Sequence, residues 1–370
     1  MRIREIELRL VEIPLVRPFR VSFGTSTGKQ CVLARIVTDD AVGWGECVAD
    51  DGYPGFSGEW NEGVWALLRD GLAPALLDAD VSIDTVEEQL RFVRGNPMAK
   101  ATLIDAVIDA ELRVESTSLA EFLGADKQTV ACGVSIGIAD GIDELRALVD
   151  EHLSQGYRRI KLKIMPGLDV ERVAAIRADH PDILLSVDAN AAYTLDDRDV
   201  FRQLDALDLL MIEQPLHFED LVQHAALQAE IRTSICLDES IRSAADASAA
   251  IGLGSCRIVN IKQGRVGGVL EARRVHDVAA AAGIPVWCGG MLETGIGRAT
   301  NLSLAAMPNF TLPGDTSASA RYFTEDLTQP FVLNTDGTMD VPAGPGIGVV
   351  PIPERLEACT VRRATISAGS

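Results

Sequence analysis

Between residues 157 and 262, five strand-like runs each end in an ionisable side chain, and the distance from one to the next barely changes. Lys163 closes YRRIKLKI, Asp188 closes ILLSVD, Glu213 closes LLMIE, Asp238 closes SICLD and Lys262 closes RIVNIK. The intervals are 25, 25, 25 and 24 residues, the length of one strand–loop–helix unit. That register restricts the segment to consecutive strands of a parallel α/β barrel, an architecture that carries its active site at the carboxyl ends of the strands. Three carboxylates flanked by two amines at one rim read as a metal site between two bases.

The chain on either side of this rhythm is organised differently. Within residues 1–125, REIELRLVEI, CVLARIVTDD and AVGWGECV alternate at period 2 and predict an antiparallel meander. Helical patterns follow in NEGVWALLRDGLAPALL, SIDTVEEQLRFVRG and MAKATLIDAVIDAELRV, so this part is an α+β module. TVACGVSIGI opens the barrel series, PVWCGGM and GIGRATNLSLAAM continue it, and FTLPGD at 310–315 supplies an eighth strand. Right-handed crossovers close such a series into a ring. The tail from about 321 is rich in Pro and Gly, with FVLN and TMDVP as short strand candidates and no eighth outer helix. The expected fold is therefore a (β/α)7β modified TIM barrel at 126–321, capped by an α+β domain at 1–125 that the segment 322–370 joins.

A core for such a fold is built from aliphatic residues: 47% of the chain is hydrophobic and only 5% aromatic, which suits a parallel sheet wrapped in helices. The formal charge of −20 argues against a nucleic-acid or anionic-membrane partner, because both demand a basic face. It leaves room for a small anionic substrate held by a few lysines. The seven cysteines are scattered without a CxxC pair. Cys132, Cys236 and Cys288 fall in apolar runs where a buried thiol is the default. A reducing cytoplasm fits this usage, as does the absence of a signal-peptide core or a long apolar span.

Asp188, Glu213 and Asp238 would surround one point from three adjacent strands. All-oxygen ligation with open positions suits Mg²⁺, with Mn²⁺ as the substitute. The five histidines show no ligand spacing, which removes zinc. The plain alternative is that each acid caps the helix after its strand, but three in register exceed what capping requires. Lys163 and Lys262 lie on strands two and six, which face each other across an eight-stranded barrel. Lys161 shares the inward face with Lys163, because side chains at i and i+2 point the same way. Lysines clustered near a cation are pushed toward the neutral form, and a neutral lysine can accept a proton.

At these residues the chain resembles the enolase superfamily in its muconate-lactonizing branch. The likeness rests on Lys161-Leu162-Lys163, Asp188-Ala189-Asn190, Glu213-Gln214-Pro215, Asp238-Glu239-Ser240 and Asn260-Ile261-Lys262, and covers essentially the whole chain. The resemblance implies Lys163 as base, Asp188, Glu213 and Asp238 as Mg²⁺ ligands, and Lys262 on the opposite side. Mandelate racemase-like and sugar-acid dehydratase members carry a histidine where this chain has Lys262. Dipeptide epimerases show Asp-x-Asp at the eighth strand, where this chain reads Asp315-Thr316-Ser317. The stretches GGMLETGIGR at 289–298 and LPGDTSAS at 312–319, with Arg265 in QGRVGG, are similar to the o-succinylbenzoate synthases and N-succinylamino acid racemases.

That resemblance implies removal of a proton alpha to a carboxylate, giving an enediolate. Loss of a β-hydroxyl, the synthase reaction of menaquinone biosynthesis, or reprotonation from Lys262, the racemase reaction, would follow. Specificity is expected from the capping module: Phe19, Arg20 and Phe23 in PFRVSFGTSTG, with Tyr53 and Phe56 in DDGYPGFSG, read as glycine-punctuated loops over the barrel mouth. Ser135 and Met291 would line the same pocket. Asn190 and Glu239 would orient ligands; Lys161, Arg265, Glu293 and Asp315 complete the set that touches substrate or supports the site. A muconate cycloisomerase would use the same lysines for lactone chemistry, a Schiff-base aldolase would use one lysine as nucleophile, and a barrel that only binds a ligand would need no opposed bases. Relatives often form homo-oligomers, which is carried here as analogy.

Overall fold

The computed structural model describes residues 1–52, 55–77 and 79–367. It opens with an antiparallel sheet of β1 (Ile3–Val21), β2 (Gly24–Thr38) and β3 (Val42–Cys47). β1 and β2 form one long hairpin whose last pair is Val21 with Gly24, so Ser22 and Phe23 make its tip. The arm around Phe19–Ser26 is therefore paired strand rather than a free loop. Its alternation of aromatic and β-branched residues continues the period-2 pattern beyond the register shift after Pro14.

The helix Pro97–Glu115 lies directly on β3. A Cβ added at Gly43 would stand 2.0 Å from the Ala106 carbonyl oxygen, and one at Gly45 would stand 1.9 Å from that of Thr102. Glycine at both positions lets helix and strand backbones touch. The same helix also holds other parts of the chain. Asp109 accepts from the Trp44 and Ile347 amides, and Asp105 accepts from the Val269 amide. The expected helix at 61–77 is divided, with a π-helical turn over Leu68–Leu72 between two α-helical pieces. SIDTVEEQLRFVRG keeps only Val86–Leu90 as α-helix.

TVACGVSIGI splits in two. β4 (Thr129–Ala131) leaves the barrel, and β5 (Gly133–Ile136) begins it. Six more parallel strands follow in order: β6 (Arg159–Lys163), β7 (Leu184–Asp188), β8 (Ile212–Glu213), β9 (Ile235–Leu237), β10 (Ile258–Ile261) and β11 (Val286–Cys288). Segment 310–315 forms no full strand but bridges the gap, pairing Phe310 with Val286 and Gly314 with Cys132. Pro313 interrupts the run of amides a ladder would need. β12 (Thr338–Asp340) pairs with β4, and β13 (Thr360–Ser367) adds to the free edge of β1. FVLN is irregular. All seven cysteines are free thiols, and Cys132, Cys236 and Cys288 are buried. Among the described residues no helix is long and apolar enough to cross a membrane.

Candidate active site

The constant spacing becomes lateral alignment in the folded chain. Lys163 pairs in register with Asp188, and Asp188 with Glu213, across β6, β7 and β8. Asp238 and Lys262 each directly follow their strand, β9 and β10. The rim is thereby held by strand backbone, and its side chains meet as cations and anions. Lys163 Nζ lies 2.5 Å from Asp188 Oδ2 and 2.7 Å from Asn190 Oδ1. Lys262 Nζ lies 2.8 Å from Asp238 Oδ2. Lys161 Nζ reaches Asp315 Oδ2 at 2.6 Å, Glu213 Oε2 at 2.8 Å and Asp188 Oδ2 at 3.4 Å.

A layer of supporting contacts keeps these groups in place. Arg265 donates to Asp238 Oδ1, to the Ile241 carbonyl and to the Asn260 carbonyl. Asn190 Nδ2 donates to Glu239 Oε1 at 2.9 Å, and Asn260 Nδ2 to Glu213 Oε1 at 2.8 Å. Gln214, buried at a left-handed φ of 38°, accepts from the Asp238 and Ser240 amides through Oε1. Asn190 and Leu292 also sit at positive φ. Such backbone persists only where its surroundings over-determine it, and it concentrates at working sites.

Burial and charge oppose each other throughout. Burial pulls the Lys161 ammonium toward neutrality, but Asp315, Glu213 and Asp188 outweigh it and raise its pKa well above the ordinary value. Lys262 behaves alike: burial lowers it, Asp238 raises it further, and the net shift is upward. Each of these two lysines faces a carboxylate directly, and that pairing favours the charged form over the neutral one expected beside a bound cation. Burial pushes Asp238 up, yet Arg265 and Lys262 bring it well below the carboxylate range. Asp315 is depressed in the same way, by Lys161 and Arg159 against burial. Glu213 goes the other way, raised to about 8 by burial and then by Asp188. Glu239 rises to about 7 through burial and Asp238.

The donor set can be judged for a divalent cation from these same observations. Every donor is a carboxylate oxygen, the hard-ligand chemistry of Mg²⁺. Asp188, Glu213 and Asp238 repel one another, and Glu239 Oε2 is buried with no hydrogen-bond partner. Added positive charge would relieve both. Among the described residues no three such side chains converge tightly enough to grip an ion as they stand. Lys161, Lys163, Lys262 and Arg265 draw the carboxylates toward themselves instead, so the residues fit a cation once those pairs open.

Lys161, Lys163, Lys262, Asn190, Ser135, Met291 and Asp315 all line one cavity, and the cap contributes Phe19, Phe23 and Phe56 to it. Phe23 and Phe56 stack with ring centroids 5.6 Å apart, and the Phe56 ring lies 4.6 Å from Lys262 Nζ. Phe56 is placed by Asp50, whose Oδ2 accepts from the Gly55, Phe56 and Ser57 amides. Tyr53 falls outside the described residues. Arg20 points away, toward Asp140 at 3.2 Å. Glu293 is buried and accepts from the Met291 amide, so it shapes the loop beside the cavity.

Two basic residues of the site, Arg159 and Lys29, have no counterpart in the reading of the sequence. Arg159, fully buried, donates to Asp315 Oδ1 at 2.5 Å and stacks with Lys161 against Trp287. The signal was present, since Arg159, Lys161 and Lys163 alternate on one face of β6. Lys29, from β2, enters the cavity from the cap side; nothing in its local pattern marks it. A larger groove of about 470 Å³, beside Arg17, His152, Tyr157 and Arg321, contains no opposed bases.

Known proteins share this family and fold. Residues 4–124 match the family model of the mandelate racemase/muconate lactonizing enzyme N-terminal domain, and residues 144–355 match that of the enolase C-terminal domain-like family. An N-succinylamino acid racemase from Amycolatopsis sp is 55% identical, covering 99% of this chain and 100% of that protein. An o-succinylbenzoate synthase from Geobacillus kaustophilus is 46% identical, over 94% and 93%. Among solved structures, an enolase-superfamily member from Listeria innocua superposes with a TM-score of 0.95 at 39% identity, over 99% of both chains. A muconate lactonizing enzyme from Pseudomonas fluorescens superposes at 0.87 with 25% identity, over 97% and 99%.

Proposed function

The chain belongs to the mandelate racemase/muconate lactonizing enzyme family of the enolase superfamily, and from that premise we propose that it removes the α-proton of a succinyl-bearing carboxylate. The product side is N-succinylamino acid racemisation, o-succinylbenzoate formation, or both. The observation that carries the reading is the pair of amines, Lys163 after β6 and Lys262 after β10, which line one cavity from different strands. The muconate-lactonizing alternative uses the same amines, but solved muconate lactonizing enzymes at 25% and 26% identity stand far below the racemase and the synthase.

In this reading Asp188, Glu213 and Asp238 hold Mg²⁺, which when bound supplies positive charge against the substrate's carboxylate. Lys161, paired with Asp315, adds a second positive charge beside the reacting end. Lys163 accepts the α-proton, and Asn190 Oδ1 fixes where its amine points. Lys262 delivers a proton to the other face in the racemase reaction, and accepts one when the opposite hand is the substrate. In the elimination, protonated Lys163 returns its proton to the departing hydroxyl while Lys262 remains an ammonium beside the ring. The cap, 1–125 with 322–370, closes the mouth and excludes water.

Isotope exchange tests this. With Mg²⁺ in D₂O, each enantiomer of an N-succinyl amino acid should exchange its α-proton, and Lys163→Ala and Lys262→Ala should each abolish exchange preferentially with one hand. Turnover of cis,cis-muconate with no exchange of any succinyl compound would sink the proposal.

A further inference from the structure

Four lysines line the cavity, and three of them are matched to carboxylates. Lys161, Lys163 and Lys262 each lie within 2.8 Å of a carboxylate oxygen. Lys29 is different. Its side chain is 11% exposed, and its nearest carboxylate oxygen, Asp51 Oδ1, is 3.9 Å away. Among the described residues its Nζ has one hydrogen-bond acceptor, the Ala49 carbonyl at 3.1 Å. An ammonium has three donors. The neighbouring acids are committed elsewhere: Asp51 accepts from Asn61 Nδ2 at 2.8 Å and from the Gln30 amide at 3.4 Å, and Asp50 binds three amides of its own loop. A nearly buried amine with spare donors and its nearest carboxylate only at 3.9 Å leaves room for an anion to complete it.

Racemase and synthase substrates share one feature beyond the reacting carbon, a succinyl arm ending in a second carboxylate. The paired amines and acids of the rim serve the reacting carboxylate. The far carboxylate needs a cation on the cap side, where Lys29 is the lysine lining the cavity. We propose that the Lys29 ammonium binds the distal carboxylate of the substrate's acyl arm and so selects dicarboxylate-bearing substrates. This rests on the function proposed above.

The test compares wild type, Lys29→Met and Lys29→Arg on N-succinylphenylalanine and on N-butyrylphenylalanine, which replaces the distal carboxylate with a methyl group. Lys29→Met should lower kcat/KM about ten- to hundredfold on the succinyl substrate, mainly through KM, as expected for losing a charged hydrogen-bond partner. The butyryl substrate should change by less than about twofold, and Lys29→Arg should recover most of the loss. Equal losses on both substrates would mean a structural role and overturn the proposal, as would no loss on the succinyl one. If wild type exchanges neither compound, the proposed reaction falls, and calorimetric binding of N-succinylglycine then decides the Lys29 assignment. Affinity at least about tenfold weaker in Lys29→Met keeps it; unchanged affinity rejects it.

Discussion

At the barrel rim Lys161, Lys163 and Lys262 are clamped to acids that strand backbone holds in register. Across the same cavity, the cap offers a hairpin tip and a loop whose aromatics stack on one another, with Phe23 55% exposed. In the proposed reaction the rim supplies fixed geometry for proton transfer, where a small displacement costs rate. The mouth keeps adaptable apolar contact, where a changed side chain alters which molecule enters. The two meet at Lys262, which touches Asp238 below and the Phe56 ring above.

The contrast predicts effects of very different size. Lys163→Ala should lower proton exchange of one hand about 10³- to 10⁴-fold, since it removes the base proposed for that hand; NMR exchange rates that fall less than tenfold with both hands would show that the rim does not carry the chemistry. Asp315→Asn should cost about 3–5 kcal/mol of stability in urea unfolding, because Lys161 and Arg159 lose a buried partner. A loss under about 1 kcal/mol would mean the rim is not clamped as described.

Asp105 tests the joint between the regions. Its carboxyl is raised to about 7 by burial, against the Val269 amide bond that lowers it, and its Oδ2 has no partner. A raised folded pKa gives stability that is complete below the unfolded value and lost as pH rises through about 7. Wild type should therefore lose on the order of 4 kcal/mol relative to Asp105→Asn between pH 4 and 8, read from unfolding curves at each pH. At the mouth, Phe23→Ala should raise KM about two- to fivefold and leave kcat within about twofold. A large fall in kcat would erase the distinction between rim and mouth.

What the sequence disclosed follows the same division. Lys163, Asp188, Glu213, Asp238 and Lys262 were legible because one period ties each to the end of its strand, and a parallel barrel turns period into position. Asp315 was harder to read. Its role depends on Arg159 and Lys161 meeting it across the closing segment 310–315, a contact no local pattern encodes. Lys29 reads as an ordinary polar residue of a strand, and only the docking of cap on barrel turns it into a cavity wall. The hairpin at Phe19–Ser26 reads as a loop in sequence because its glycines mask an alternation that tertiary pairing completes.

β13 gives β1 its outer partner, with Ser367 beside Glu5. During synthesis β1 leaves the ribosome long before β13, with the whole barrel between them. Until β13 follows, β1 offers a bare edge of amides and carbonyls, the kind of template on which strands of neighbouring chains can add. The barrel can assemble in that interval, but the cap sheet cannot be finished. The nascent chain's exposure to misassembly is set by this order of the two strands, independently of how stable the finished enzyme is.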